Sequence, residues 1–275
     1  MLKIGWFSTG RDKAALDLLT VVQGSIRRSE IEADICFVFS NREWGETTES
    51  DLFFELVKGY HIPLICLSSH KFQPQRRGES LLEWRLEYDR EVMKRLEGFR
   101  PALCILAGYM LIVGREMCQR YQMVNLHPAA PGGPTGTWQE VVWKLIENKA
   151  ESTGVMMHLV TPELDKGPPV AFCIFPVRGE PFDRYWEDIK GYSLEQIERQ
   201  QGENNPLFRL IRQHGLAREF PLITATVKAF SEGRVKVEQG RVVDAGGNPI
   251  KGYDLTREID EIVQRKARDE PLHLL

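Results

Sequence analysis

Short apolar runs alternate with longer amphipathic stretches through the first 175 residues. LKIGWFS has the length and apolarity of a buried strand, and RDKAALDLLTVVQGSIRR behind it carries its apolar residues on one helical stripe. ADICFVFS is a second strand, closed by the turn-forming Asn41. A short helix around Asp51 to Lys58 and a third strand, IPLICLS, follow. The spacing of Leu81, Leu82, Trp84, Leu86, Val92, Met93 and Leu96 predicts one long helix from Glu79 to Glu97. PALCILAG then reads as a fourth strand, apolar throughout as a buried parallel strand should be. Strand–helix alternation of this kind predicts a doubly wound α/β fold, with a mainly parallel sheet covered by helices on both faces.

Beyond Phe175 the pattern changes. Residues 178–205 are charged and weakly periodic, which predicts an exposed insertion. PLFRLIRQHGLA and PLITATVKAFSEG predict two helices, each with a proline near its first turn. KVEQGRVVDAGG predicts a small β-hairpin, and the charged stretch from Thr256 a peripheral helix. The expected organisation is an α/β domain over 1–177, the 178–205 insertion, and C-terminal helices and a hairpin over 206–275 that pack on the same domain.

Composition narrows the classes. The chain has 275 residues, 42% apolar and 27% charged, with a net charge of -3. That balance weighs against an extended nucleic-acid groove but leaves room for a local basic pocket. No run approaches the ~18 consecutive apolar residues of a membrane helix, so no membrane partner is expected. The start, MLKIGWFSTG, has no signal-peptide pattern. Cys36, Cys66, Cys104 and Cys173 sit in apolar runs with no CxxC pair, as buried free thiols of a cytoplasmic protein would.

In such sheets ligands bind outside the carboxyl ends of the strands. The residues of interest there lie in VNLHPAAPGGPTGTW, 124–138. Asn125 and His127 are two apart, so in a strand they point to one side, where an amide and an imidazole could together hold a developing oxyanion. The alternative is a strand-capping Asn beside a satisfied core His. GVMMHLVTPELDKGPPV adds His158 on a strand and Asp165 on the turn after it. A carboxylate there could reach the same crevice and raise the pKa of an imidazole. It could equally be a turn residue bonded to its own backbone.

NLHP followed at a distance by HLVTPELDKGPPV, with VFSNR and LAGYMLIV before them and FPLITATVKAFSEGRVKV and KGYD after, resembles the folate-dependent formyltransferases. Within them the motifs are most similar to the glycinamide ribonucleotide branch, which works in purine synthesis. The resemblance implies 10-formyltetrahydrofolate as formyl-donor cosubstrate, no metal, no covalent enzyme intermediate, and a small, phosphorylated amine as acceptor. It casts Asn125, His127 and Asp165 as catalytic residues and His158 as their support. Met110, Leu111, Ile112 and Val113 would line the folate on one side, and the Val160, Thr161 and Leu164 loop on the other.

The acceptor side departs from the family pattern. A glycine-rich phosphate loop, typically SGNGSN, is replaced by STGRDKA, where Gly10, Arg11, Asp12 and Lys13 are the candidates to hold an anion or are simply solvated helix-start charges. Leu111 stands where an arginine is expected, and AAPGGPTGTW replaces the usual loop after the histidine. The family's ribose-contacting glutamate falls by strict alignment on Leu216; either Glu219, one helical turn on, takes its place or the ribose contact is gone. These departures keep a sugar-nucleotide amine open as acceptor. A formyltetrahydrofolate deformylase is a further alternative, although such enzymes carry an N-terminal regulatory domain and this chain starts on strand one. A folate-binding regulatory protein is the non-enzyme alternative. No nucleic-acid partner is expected, and a homodimer is left open.

Overall fold

A computed structural model describes residues 1–269. Its elements in chain order are β1 (Leu2–Phe7), α1 (Lys13–Arg27), β2 (Ala33–Ser40), α2 (Thr48–Gly59), β3 (Leu64–Cys66), α3 (Pro74–Glu79), α4 (Leu81–Arg95), β4 (Leu103–Leu106), α5 (Arg115–Arg120) and β5 (Met123–His127). There follow α6 (Trp138–Glu147), β6 (Ser152–Leu159), β7 (Pro169–Pro176), α7 (Asp183–Asp188), α8 (Leu194–Gln200), α9 (Pro206–Ser231), β8 (Val235–Glu238), β9 (Arg241–Asp244), β10 (Tyr253–Asp254) and α10 (Thr256–Asp269).

Eight strands form one sheet in the order β10-β7-β6-β5-β4-β1-β2-β3. All run parallel except β6, which is antiparallel to both of its neighbours. Strand alternation divides the core between the two faces. Ile4 and Trp6 point to one, against Leu18, Leu19 and Val22 of α1 and Leu222 and Ile223 of α9. Phe7, Phe37 and Phe39 point to the other, against Trp84, Tyr88 and Val92 of α4. β8 and β9 make the separate hairpin that the turn residues predicted. Among the described residues no helix is long and apolar enough to cross a membrane. Cys104 and Cys173 are buried, whereas Cys36 and Cys66 are only half-buried; all are free thiols.

Three elements differ from expectation. The helix expected over 79–97 is α4, Leu81–Arg95; it starts two residues late because Ser80 is extended (φ -149°), separates it from the short α3 and caps it by accepting from Glu83 N–H. Leu81 and Leu82 are therefore exposed, and the buried stripe starts at Trp84. The two helices expected after 206 are one, since α9 runs unbroken through Pro221. A proline removes one amide donor and crowds the preceding turn. Here Leu210 and Ile211 before it and Leu222 and Ile223 after it are all buried in one core, which holds both halves in line.

The third is 178–205, which is folded onto the core: Phe182, Trp186 and Ile197 are buried there, and Trp186 Nε1 donates to the Val177 carbonyl at 2.6 Å. Tyr192, in the same segment, stays exposed. The predicted C-terminal helix is α10, tied to α9 by Arg218 and Asp260 at 2.9 Å. Residues 270–275 of the expected C-terminal unit lie outside the described residues.

Candidate active site

The reversal of β6 brings the chemistry together. Antiparallel pairing of β5 with β6 sets Asn125 directly opposite His158, and His127 opposite Met156. His158 and His127 are 2% exposed. The loop after β6 then returns Asp165 to the same point, in the left-handed region (φ +53°) that Asp tolerates better than most residues.

The Asp165 carboxylate sits among four polar groups. Oδ2 accepts from Gly136 N–H at 3.1 Å and lies 3.6 Å from His127 Nδ1. Oδ1 lies 3.5 Å from both His158 Nε2 and Asn125 Nδ2. Burial alone would raise its pKa; the neighbouring His158 and His127 rings and the Gly136 N–H outweigh it and hold the carboxyl below its ordinary value. For His127 burial wins, and its pKa is lowered despite the Pro134 carbonyl and Asp165. At neutral pH the carboxylate is thus ionised and the imidazole neutral.

The neighbours assign the tautomers. His158 Nδ1 faces the Leu159 carbonyl at 2.8 Å and so carries the proton, leaving Nε2 to accept from Asn125 Nδ2 at 3.1 Å. His127 Nε2 donates to the Pro134 carbonyl at 2.8 Å, which leaves the Nδ1 lone pair toward Asp165. The Pro/Gly loop therefore engages the catalytic candidates directly, through Pro134 and Gly136. Thr137 and Glu140 fasten its far end in a capping box at the start of α6.

These groups stand at the middle of a cleft of about 380 Å³ at the carboxyl edge of the sheet. Met110, Leu111, Ile112 and Val113 form one wall with Val160, Thr161 and Leu164. Arg11, Asp12 and Glu219 line the opposite side. Gly10 is turned (φ +63°) against Phe53 and lies outside the wall. Lys13 points away, paired with Asp17 at 2.5 Å, because its position in the first turn of α1 sets it one turn from that acid on the outer face. Asp12 caps α1 by accepting from Ala15 N–H at 3.0 Å, and Arg11 lies 3.4 Å from it.

Arg212 and Trp138 are among the lining residues that sequence reasoning missed. Arg212 forms an ion pair with Glu219 and lies 4.8 Å over the ring of Trp138, and both Arg212 and Trp138 face the cleft. Arg212 and Glu219 are two helical turns apart, a relation visible only if 206–231 is read as one helix. Among the described residues no group of three or more His, Cys, Asp or Glu is arranged to hold a metal ion.

Beneath the Met110–Val113 wall, Asp89 of α4 accepts from Gly114 N–H at 2.6 Å while 4% exposed. Burial pushes its carboxyl up from 3.8 to about 6, against the pull of Gly114 N–H and Arg85 and with a small push from Glu116. A raised carboxyl pKa means that the folded state holds the proton more tightly than the unfolded one. The charge is therefore a burden above pH 6 that fades toward pH 4. Asp89→Asn keeps an acceptor oxygen for Gly114 and removes the charge. We expect it to stabilise the protein at pH 8 by up to about 3 kcal/mol, at ~1.4 kcal/mol per pKa unit, with no gain at pH 4. Thermal unfolding at both pH values checks this, and equal melting temperatures at pH 8 would refute it.

A doubly wound sheet with a cleft at its carboxyl edge, in which an amide, two imidazoles and an ionised carboxylate converge, defines a site for acid–base and oxyanion chemistry. Residues 15–180, more than half of the chain, match the family described as Formyl transferase. The phosphoribosylglycinamide formyltransferase of Escherichia coli is 32% identical over 181 residues, 63% of this chain and 71% of that protein. The Saccharomyces cerevisiae protein of the same name is 37% identical over 93 residues, 31% of this chain and less than half, 44%, of the relative's length. Among solved structures, the Coxiella burnetii phosphoribosylglycinamide formyltransferase superposes with a TM-score of 0.65 at 19% identity, covering 92% of this chain and 98% of that one. A formyltetrahydrofolate deformylase of Pseudomonas syringae shares the fold too, with a TM-score of 0.59 at 20% identity over 88% of this chain and 65% of its own. This chain belongs to the formyl transferase family.

Proposed function

We propose that the protein transfers a formyl group from 10-formyltetrahydrofolate to the primary amine of a small, phosphorylated acceptor, with glycinamide ribonucleotide in purine biosynthesis as the best-supported one. The observation that carries this reading is the position of Asn125, His127, His158 and Asp165 between two unlike walls. The wall of Met110 to Val113, Val160 and Leu164 is apolar with backbone polar groups. That suits a flat heterocycle with hydrogen-bonding edges, and about 380 Å³ is within the range of small-molecule sites. The wall of Arg11, Arg212 and Glu219 is charged of both signs, as an acceptor bearing an anion and hydroxyl groups requires.

The bound donor supplies the formyl carbon that the acceptor amine attacks. Asn125 Nδ2 gives one hydrogen to His158 and holds the other toward Asp165 at a slack 3.5 Å, so it is the donor free to turn to an oxygen gaining charge. His127 Nε2–H is a second donor once that oxygen displaces the Pro134 carbonyl. Asp165 stabilises positive charge on His127 by facing Nδ1, and so supports proton uptake at that nitrogen.

The assay is spectrophotometric, with a 10-formylfolate donor and glycinamide ribonucleotide, sugar-nucleotide amines, or no acceptor. Turnover that requires glycinamide ribonucleotide is the expected result. Donor loss without acceptor would instead make the protein a deformylase, turnover with only a sugar-nucleotide amine would reassign the acceptor, and donor binding with no turnover in any arm would leave a folate-binding role.

A further inference from the structure

The wall formed by Met110 to Val113 is held from behind by residues that do not line the cleft. Met110 N–H donates to Thr9 Oγ1 at 3.0 Å, across 101 residues of chain. The same hydroxyl donates to Asn41 Oδ1 at 2.7 Å, and Asn41 Nδ2 donates to Ser69 Oγ at 3.2 Å. Thr9, Asn41 and Ser69 are 2%, 3% and 1% exposed, so the relay is shielded from bulk solvent. They follow the ends of β1, β2 and β3, and the turn they secure follows β4.

Donor and acceptor counting fixes its direction. A threonine hydroxyl has one proton and two lone pairs. Met110 N–H can only donate, so the hydroxyl must accept there and give its proton to Asn41. Reversing the Asn41 amide would set a second donor against Thr9 and leave the hydroxyl proton without a partner. Thr9 N–H also donates to the Gly108 carbonyl at 3.1 Å, and Ser50 Oγ donates to the Thr9 carbonyl at 3.3 Å. One residue therefore grips the turn on both sides of Tyr109. The far end is held by Asp89 at Gly114, and the amides of Leu111, Ile112 and Val113 between the two fastenings make no protein hydrogen bond among the described residues.

We infer that Thr9, backed by Asn41 and Ser69, is a positioning residue that sets the shape of the donor wall, so that affinity for the folate donor depends on a hydroxyl outside the cleft. This rests on the reading of that wall as the donor's side. Because Thr9 also immediately precedes the Gly10–Arg11 turn into α1, the relay joins the acceptor side of the cleft to the donor side through a single side chain.

The test compares Thr9→Val, which keeps the shape and deletes the hydroxyl, with Thr9→Ser, which keeps it. Hydrogen–deuterium exchange over residues 108–114 reads the relay without any ligand, and calorimetric binding of tetrahydrofolate reads its effect without turnover. In Thr9→Val we expect faster exchange over that segment and tetrahydrofolate binding weakened about five- to tenfold, the loss of one buried hydrogen bond. Thr9→Ser should stay within about twofold of the parent in both. The acceptor KM should move less than the donor's, which separates a loosened turn from a generally weakened fold. Unchanged exchange in Thr9→Val would overturn the relay, as would equal effects of Val and Ser. Faster exchange with unaltered tetrahydrofolate affinity would refute the link to donor binding. If the parent protein binds no tetrahydrofolate, the donor-side reading itself fails, and with it the inference drawn from it.

Discussion

His127→Ala is expected to lower the rate of formyl transfer by at least about 100-fold, the usual loss when a general acid or oxyanion donor is removed, while tetrahydrofolate binds within about twofold of the parent. The ring is almost fully buried and both its nitrogens are engaged, Nε2 with Pro134 and Nδ1 toward Asp165. Alanine removes the donor that would exchange the Pro134 carbonyl for a substrate oxygen, and also the group through which Asp165 acts. The wall of Met110 to Val113, proposed above as the donor's side, does not contain His127, so affinity on that side should persist. Circular dichroism and thermal unfolding of the variant guard against misfolding. Turnover at the parental rate in a folded variant would exclude His127 from the chemistry.

Asp165→Asn should reduce turnover by about tenfold or more and move the acidic limb of the pH–rate profile to lower pH. Asn occupies left-handed backbone at least as readily as Asp, so the turn at φ +53° is retained and only the charge is lost. Without the carboxylate, the His127 pKa, already lowered by burial, falls further. A limb that reports His127 protonation must then shift toward acid. Stability carries an independent sign. The Asp165 carboxyl is held below its ordinary value, so it contributes stability that is present above the unfolded carboxyl's pKa and lost as pH falls through the folded one. The variant should accordingly melt below the parent at pH 7 and approach it in acid. A profile whose limb does not move would restrict Asp165 to shaping the turn.

Much of the site was legible because its parts follow strand periodicity. Asn125 and His127 could be placed on one side from their spacing alone, and the apolar runs marked where strands end and clefts open. The reversal of β6 was not legible: STGVMMHL carries no mark of direction, yet that reversal is what sets His158 opposite Asn125. Pro221 concealed the Arg212–Glu219 pair, because a proline at the start of an apolar run suggests a new helix when packing on both sides sustains the old one. Lys13 misled for the opposite reason, since local charge pairing with Asp17 determined where its side chain went. β10, two residues long, exists only because β7 offers it an edge. Thr9 gave no signal of its own, as its partners are 32 and 101 residues away.

The pairing of Asn125 with His158 also ties enzyme assembly to folding in time. Side chains on a strand alternate between faces, so a β6 that paired one residue out of step would turn His158 to the opposite face and offer Met157 or Leu159 in its place. Such a molecule would be compact and inert, lacking the imidazole that Asn125 needs as a partner. During refolding, recovery of turnover should therefore lag behind collapse and keep pace with correct β5–β6 zippering. The catalytic assay thus doubles as a clock for one strand pair.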